Sequence, residues 1–199
     1  MDIQNRKGFR ISFNSPVILS FTGICLIAVL LDMMTNGRST DLVFSTYRSS
    51  LASPLTYIRF VGHVFGHAGW EHLVNNMMYI LILGPMLEEK YGAENIILLI
   101  VATALVTGII NFIFFPRIAL YGASGVVFAM ILLSSITGLE EHSIPLTFIL
   151  VAALYTGQQV YEAFAVGGDI SYLSHILGGA TGAVIGFALN RHKLKRHPY

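Results

Sequence analysis

Six long apolar runs, at about 14 to 34, 72 to 89, 95 to 115, 122 to 138, 144 to 161 and 172 to 190, dominate this chain. A helix rises about 1.5 Å per residue, so ~20 apolar residues match the hydrocarbon core of a bilayer, and each run approaches that length. Only 12% of the residues are charged against 54% apolar, and the charges gather at the two ends and in short segments between the runs. That layout disfavours a water-soluble domain and points to an all-α integral membrane protein. The formal charge of +1 comes from basic residues that flank the apolar runs, which argues against nucleic acid as a partner. A single cysteine, Cys25, lies within the first run, so neither a disulfide framework nor a cysteine metal site is available.

The basic start MDIQNRKGFR followed by apolar residues has the outline of a signal peptide. Val17 to Leu31 is long for a signal core, however, and no small-x-small cleavage site follows, so a retained first helix is expected. Six crossings place both termini on one side of the membrane. Arg6, Lys7, Arg10, Lys90, Arg191, Lys193, Lys195 and Arg196 fall on that side, leaving Arg38, Arg48, Arg59 and Arg117 opposite. The positive-inside rule makes the termini cytoplasmic. The basic tail RHKLKRHPY is read as an orientation signal that touches anionic lipid.

The connection from about Asn36 to Glu71 is the one long loop, and it carries Phe44, Tyr47, Leu51, Tyr57 and Phe60. Such a loop is expected to fold back onto or into the membrane, where protein covers its backbone. There is no internal repeat and no room for a second domain.

Polar side chains within apolar runs are costly, and the costly ones here are His72, Asn75, Asn76, Asn111, Ser124, Ser174 and His175. His72 and Asn76, four apart, share one helical face and can both donate hydrogen bonds to a common point. Ser124 lies in Leu120-Tyr-Gly-Ala-Ser-Gly-Val-Val. Gly122 and Gly125 leave its hydroxyl accessible and free the backbone to aim an N–H at a developing oxyanion.

His175 opens the pattern His-x-x-Gly-x-x-x-Gly-x-x-x-Gly with Gly178, Gly182 and Gly186. At 100° per residue the glycines fall at about 300°, 340° and 20° from the histidine, so the imidazole sits on a close-packing stripe. Small-x-x-x-small stripes let membrane helices approach closely, and the helix of Ser124, with Gly125 and Ala129, is the natural partner. Phe128, one turn after Ser124, can stack on the His175 ring. Ser124, His175, Asn76 and His72 together make a nucleophile, a base and an oxyanion clamp.

Three blocks in this order resemble the rhomboid intramembrane serine proteases: RFVGHVFGHAGWEHLVNNMMYILILGPMLEEKYG from Arg59, then Gly122-Ala-Ser-Gly, then His175-Ile-Leu-Gly with Gly182. Gly84, Glu88 and Gly92 fit the family's G-x-x-x-E-x-x-x-G ending. Ile58-Arg59 stands where many members carry Trp-Arg, and Phe128 where a tyrosine is often found.

The resemblance implies a six-transmembrane-helix rhomboid-like bundle over 14–190, between a cytoplasmic segment 1–13 and a basic tail 191–199. It implies a Ser124–His175 dyad with no required acid, and an oxyanion site made by the Ser124 main-chain N–H, His72 and Asn76. Its cavity would open to the non-cytoplasmic side. Membrane-anchored, mostly single-pass proteins would be cut in or near a transmembrane helix, with no metal or organic cofactor. The expected location is a bacterial plasma (inner) membrane. The alternative is a silent relative that binds transmembrane helices without cutting them. Asp169, after Gly167 and Gly168, reads as a turn residue rather than a third catalytic member. His63, His67 and His72 lack an H-E-x-x-H pattern and are not read as a metal site.

Overall fold

The computed structural model describes residues 13–137, 144–165 and 170–194. The cytoplasmic segment expected before residue 13, Asp169 and the tail beyond residue 194 lie outside these described residues. The described residues form seven α-helices: α1 (Pro16–Thr35), α2 (Pro54–Gly62), α3 (Trp70–Tyr91), α4 (Ala93–Phe114), α5 (Ser124–Ser135), α6 (Leu146–Ala165) and α7 (Ile170–Leu194). Short turns of other helix types occupy Thr40–Phe44 and His63–Phe65, and the one β-bridge pairs Thr46 with Leu120. The protein is thus all-α, as the apolar runs predict. Pro16–Thr35, Ala93–Phe114 and Tyr172–Asn190 are long and apolar enough to cross a membrane.

Each long helix carries large apolar residues outward, among them Ile27, Ile82, Ile97, Leu154 and Val184, all exposed. In a membrane that surface meets lipid at no cost, so what holds the helices together is close packing and internal hydrogen bonding. Both are visible where α1 begins. The Glu88 carboxylate of α3 accepts the Val17 and Ile18 backbone N–H groups, each at 3.0 Å, which satisfies two of the donors a helix start leaves without partners. Beside it, Gly84 admits Ile18, whose Cδ1 lies 2.6 Å from where a Cβ on Gly84 would stand.

The long first connection is built, not slack. Arg59 is buried, its Nε donates to the Leu42 carbonyl at 2.9 Å, and its guanidinium lies 4.5 Å from the Tyr47 ring centre. Ile58 is half exposed on the outer face of α2, while Arg59 faces inward. The loop is also tied to α4: Arg48 Nη1 donates to the Phe112 carbonyl at 3.0 Å, and Gly108 lets Phe60 O and the His63 ring come within 3.2 Å of its Cβ position.

The α5 helix is short. Its twelve residues rise about 18 Å, against about 30 Å of hydrocarbon core. Non-helical backbone from Phe115 to Ala123 leads to it, exposed over residues 116–119 and buried at Leu120, Gly122 and Ala123. Thr46 and Leu120 exchange two backbone bonds of 2.9 Å, Gly122 N–H donates to His63 O at 2.9 Å, and Asn111 Nδ2 donates to Thr46 O and Ile118 O at 2.9 and 3.1 Å. The loop, α2 and α4 thereby hold the residues immediately before Ser124.

Candidate active site

Ser124 is the first residue of α5, so its backbone N–H has no acceptor within the helix. The helix begins two residues later than the apolar run because Gly122 takes φ +133°, a conformation that favours glycine. A side chain there would also collide with a neighbour: its Cβ would stand 3.0 Å from His72 Nε2, 2.9 Å from His72 Cε1 and 3.8 Å from Ser124 Oγ. Gly122 therefore brings the imidazole of α3 and the hydroxyl of α5 to one place.

Ser124, His175, His72 and Asn76 line one open cavity of about 550 Å³, together with Phe128 and Tyr121. His72 Nδ1 accepts the Ala68 backbone N–H at 3.3 Å, so a neutral ring carries its proton on Nε2, the nitrogen beside Gly122. Asn76 is buried, and its Nδ2 has no hydrogen-bond partner among the described residues. A buried amide without a partner is expensive, and this one lines the cavity. Ser124, His72 and Asn76 thus each bring a hydrogen-bond donor to the lining of this one cavity.

The α7 helix reaches this cavity by lying against α5 without intervening side chains. A Cβ on Gly178 would overlap the Gly125 backbone carbonyl, and one on Gly182 would overlap that of Ala129. At Gly186 the overlap would be with Ile136. Gly125 in turn has Ser174 O of α7 and Thr107 Cγ2 and Thr103 Cγ2 of α4 at 3.5, 3.5 and 3.6 Å from its Cβ position. The Phe128 ring lies 4.5 Å from that of His175 at 45°.

Tyr155 is not singled out by sequence reasoning, and His63 and His67 are weighed there only as a metal cluster. The ring of Tyr155 of α6 lies 4.0 Å from that of Phe128 at 33°, so Phe128 contacts rings from both α6 and α7. His63 and His67 form the wall behind His72. His63 Nε2 bonds Ala104 O at 3.1 Å, and the His67 ring stands edge-on to His72 at 5.0 Å. In the loop after α2, burial, the neighbouring His72 charge and only partial relief from Phe65 O push the His67 pKa down to about 4.

The family profile described as Rhomboid domain matches residues 54–192. Mouse rhomboid-related protein 2 is 32% identical over 160 residues, covering 70% of this chain and 53% of that protein. Rhomboid-like protein 11, chloroplastic, of Arabidopsis thaliana is 24% identical over 68% of this chain and 53% of its own length. Rhomboid protease GlpG of Haemophilus influenzae is 24% identical over 178 residues, 86% of this chain and 89% of that one. The chain spans about half the length of the mouse and Arabidopsis relatives.

Proposed function

This chain belongs to the rhomboid family, and on that premise we propose that it is an intramembrane serine endopeptidase in which Ser124 attacks and His175 is the base. The observation that carries the proposal is the shared cavity: nucleophile, base and three oxyanion donors come from α3, α5 and α7 and line one space. Ser124 Oγ adds to the scissile carbonyl as His175 takes its proton. Negative charge grows on the carbonyl oxygen between the Ser124 N–H, His72 Nε2–H and Asn76 Nδ2–H. The tetrahedral intermediate collapses, His175 protonates the departing amine, and water then releases the acyl group by the same path in reverse.

Substrates are membrane-anchored proteins, mostly single-pass, cut in or near the transmembrane helix. The short α5 supports this, since a nucleophile at the start of a helix of about 18 Å lies below the surface of a bilayer core of about 30 Å. Both termini are cytoplasmic on this reading, the cavity opens to the other side, and the membrane is a bacterial plasma membrane. The extended match to a bacterial protease over most of the chain favours that location.

A silent relative that only holds transmembrane helices is separated by a fluorophosphonate probe in detergent. Labelling of Ser124, read by mass spectrometry and lost in His175→Ala, supports the hydrolase. A folded wild-type protein that takes no label overturns it.

A further inference from the structure

Next to the cavity of Ser124 lies a second cleft of about 530 Å³, lined by Ala68, Gly69, Trp70, Glu71, His72 and Asn75. Ala68, His72 and Asn75 line both spaces, so the two adjoin. Its walls combine a carboxylate, an amide and an aromatic ring, unlike the apolar lipid-facing sides of the long helices. Glu71 is exposed in the first turn of α3, and its carboxylate forms no hydrogen bond or ion pair among the described residues. Trp70 beside it is 47% exposed. Asn75, also exposed, adds an amide.

An anion, an aromatic face and an amide around one cleft match a single ligand chemistry, an organic cation. An ammonium or guanidinium is drawn to the carboxylate and lies favourably over an indole face, while its aliphatic stem packs on the same ring. A helix start favours an acidic residue on its own account, and an exposed tryptophan suits a membrane interface, yet neither preference calls for both to line a cleft that opens onto a nucleophile.

We propose that the Glu71–Trp70 cleft is a specificity subsite that takes a lysine or arginine side chain of the substrate, close to the scissile bond. This deepens the protease reading and rests on it for the identity of the ligand as substrate. The carboxylate sets the sign of the preference and the indole its strength. Acidic residues at the same substrate position are repelled.

The test reads binding, so that it stands even if no peptide bond is cut. Full-length Ser124→Ala protein in detergent is titrated with a fluorescent single-pass transmembrane peptide. A lysine, a glutamine or a glutamate is scanned through the positions around the intended cleavage site, at low and at high salt. At one position lysine is expected to bind about fivefold tighter than glutamine at low salt, as exposed cation–π and ion-pair contacts allow together. The ratio should fall to about one in Glu71→Gln, invert in favour of a glutamate peptide in Glu71→Lys, and shrink in Trp70→Leu. Equal binding of lysine and glutamine peptides at every position overturns the inference, as does a preference that survives Glu71→Gln. Loss of all cleavage by wild-type protein with the lysine preference intact would instead overturn the protease reading alone.

Discussion

Gly178 of α7 faces the backbone carbonyl of Gly125 so closely that a Cβ on Gly178 would occupy the carbonyl's place. The obstacle is main chain, which cannot rotate aside, so any side chain forces α7 away from α5. These are the helices that carry His175 and Ser124. Gly178→Ala should therefore cost about 1–3 kcal/mol of stability and lose most cleavage. Gly157→Ala on α6, where a Cβ meets nothing within 4 Å, should be neutral or slightly stabilising. Thermal unfolding in detergent, with cleavage measured on the folded fraction, checks both. A Gly178→Ala protein as stable as wild type would contradict the close packing.

Phe128 packs on the rings of both Tyr155 and His175, so Tyr155 braces the ring against which the imidazole rests. Tyr155→Leu is predicted to lower kcat roughly two- to tenfold, the range an aromatic contact of about 0.5–1.5 kcal/mol allows, with little change in KM. Tyr155→Phe keeps the ring and should behave as wild type. The pH profile of kcat is the discriminating readout, because a tyrosine that merely fills space would leave it unmoved.

His72 and Asn76 are expected to act where charge develops. His72→Ala and Asn76→Ala should each reduce kcat by about 10²-fold while KM stays near wild type, because the donors are used in the transition state more than in binding. Steady-state kinetics on a transmembrane substrate tests this. A double variant with near wild-type kcat would remove both from the oxyanion site.

His67 gives a pH dependence with a definite sign. Its folded-state pKa is pushed down to about 4, below the ordinary 6.5, so the folded protein keeps it neutral while the unfolded chain binds a proton. Stability is at its full value above about 6.5 and falls as the pH drops from there toward 4. Unfolding midpoints measured between pH 7.5 and 4.5 should decline for wild type and decline less for His67→Gln. Equal slopes would contradict the burial argument.

The parts of the fold that were legible in the sequence are those written in local pattern. Apolar length marked the helices, and small residues at fourfold spacing marked the face of α7. Gly122 and Gly125 marked the accessible serine, and the four polar residues grouped from sequence line a single cavity. What escaped depends on pairs far apart along the chain. Nothing local to Thr46 signals that it bridges Leu120, or that Asn111 supports both strands of that contact. Tyr155 on an apolar helix reads like any lipid-facing tyrosine until α6 is set against Phe128. The first connection was recognisably too apolar for a linker, yet its anchoring on Arg59 needed Leu42 and Tyr47 to be brought beside it. The late start of α5 follows from the positive φ of Gly122, which an apolar run cannot reveal.

The central claim is that Ser124 and His175 cut a peptide bond together. The most direct measurement incubates purified wild type, Ser124→Ala and His175→Ala, each verified as folded, with a panel of single-pass transmembrane substrates. Cleavage products are read by mass spectrometry. Wild type should yield a product ending in or near the transmembrane helix, and both variants should yield none; the same product from either variant would contradict the account.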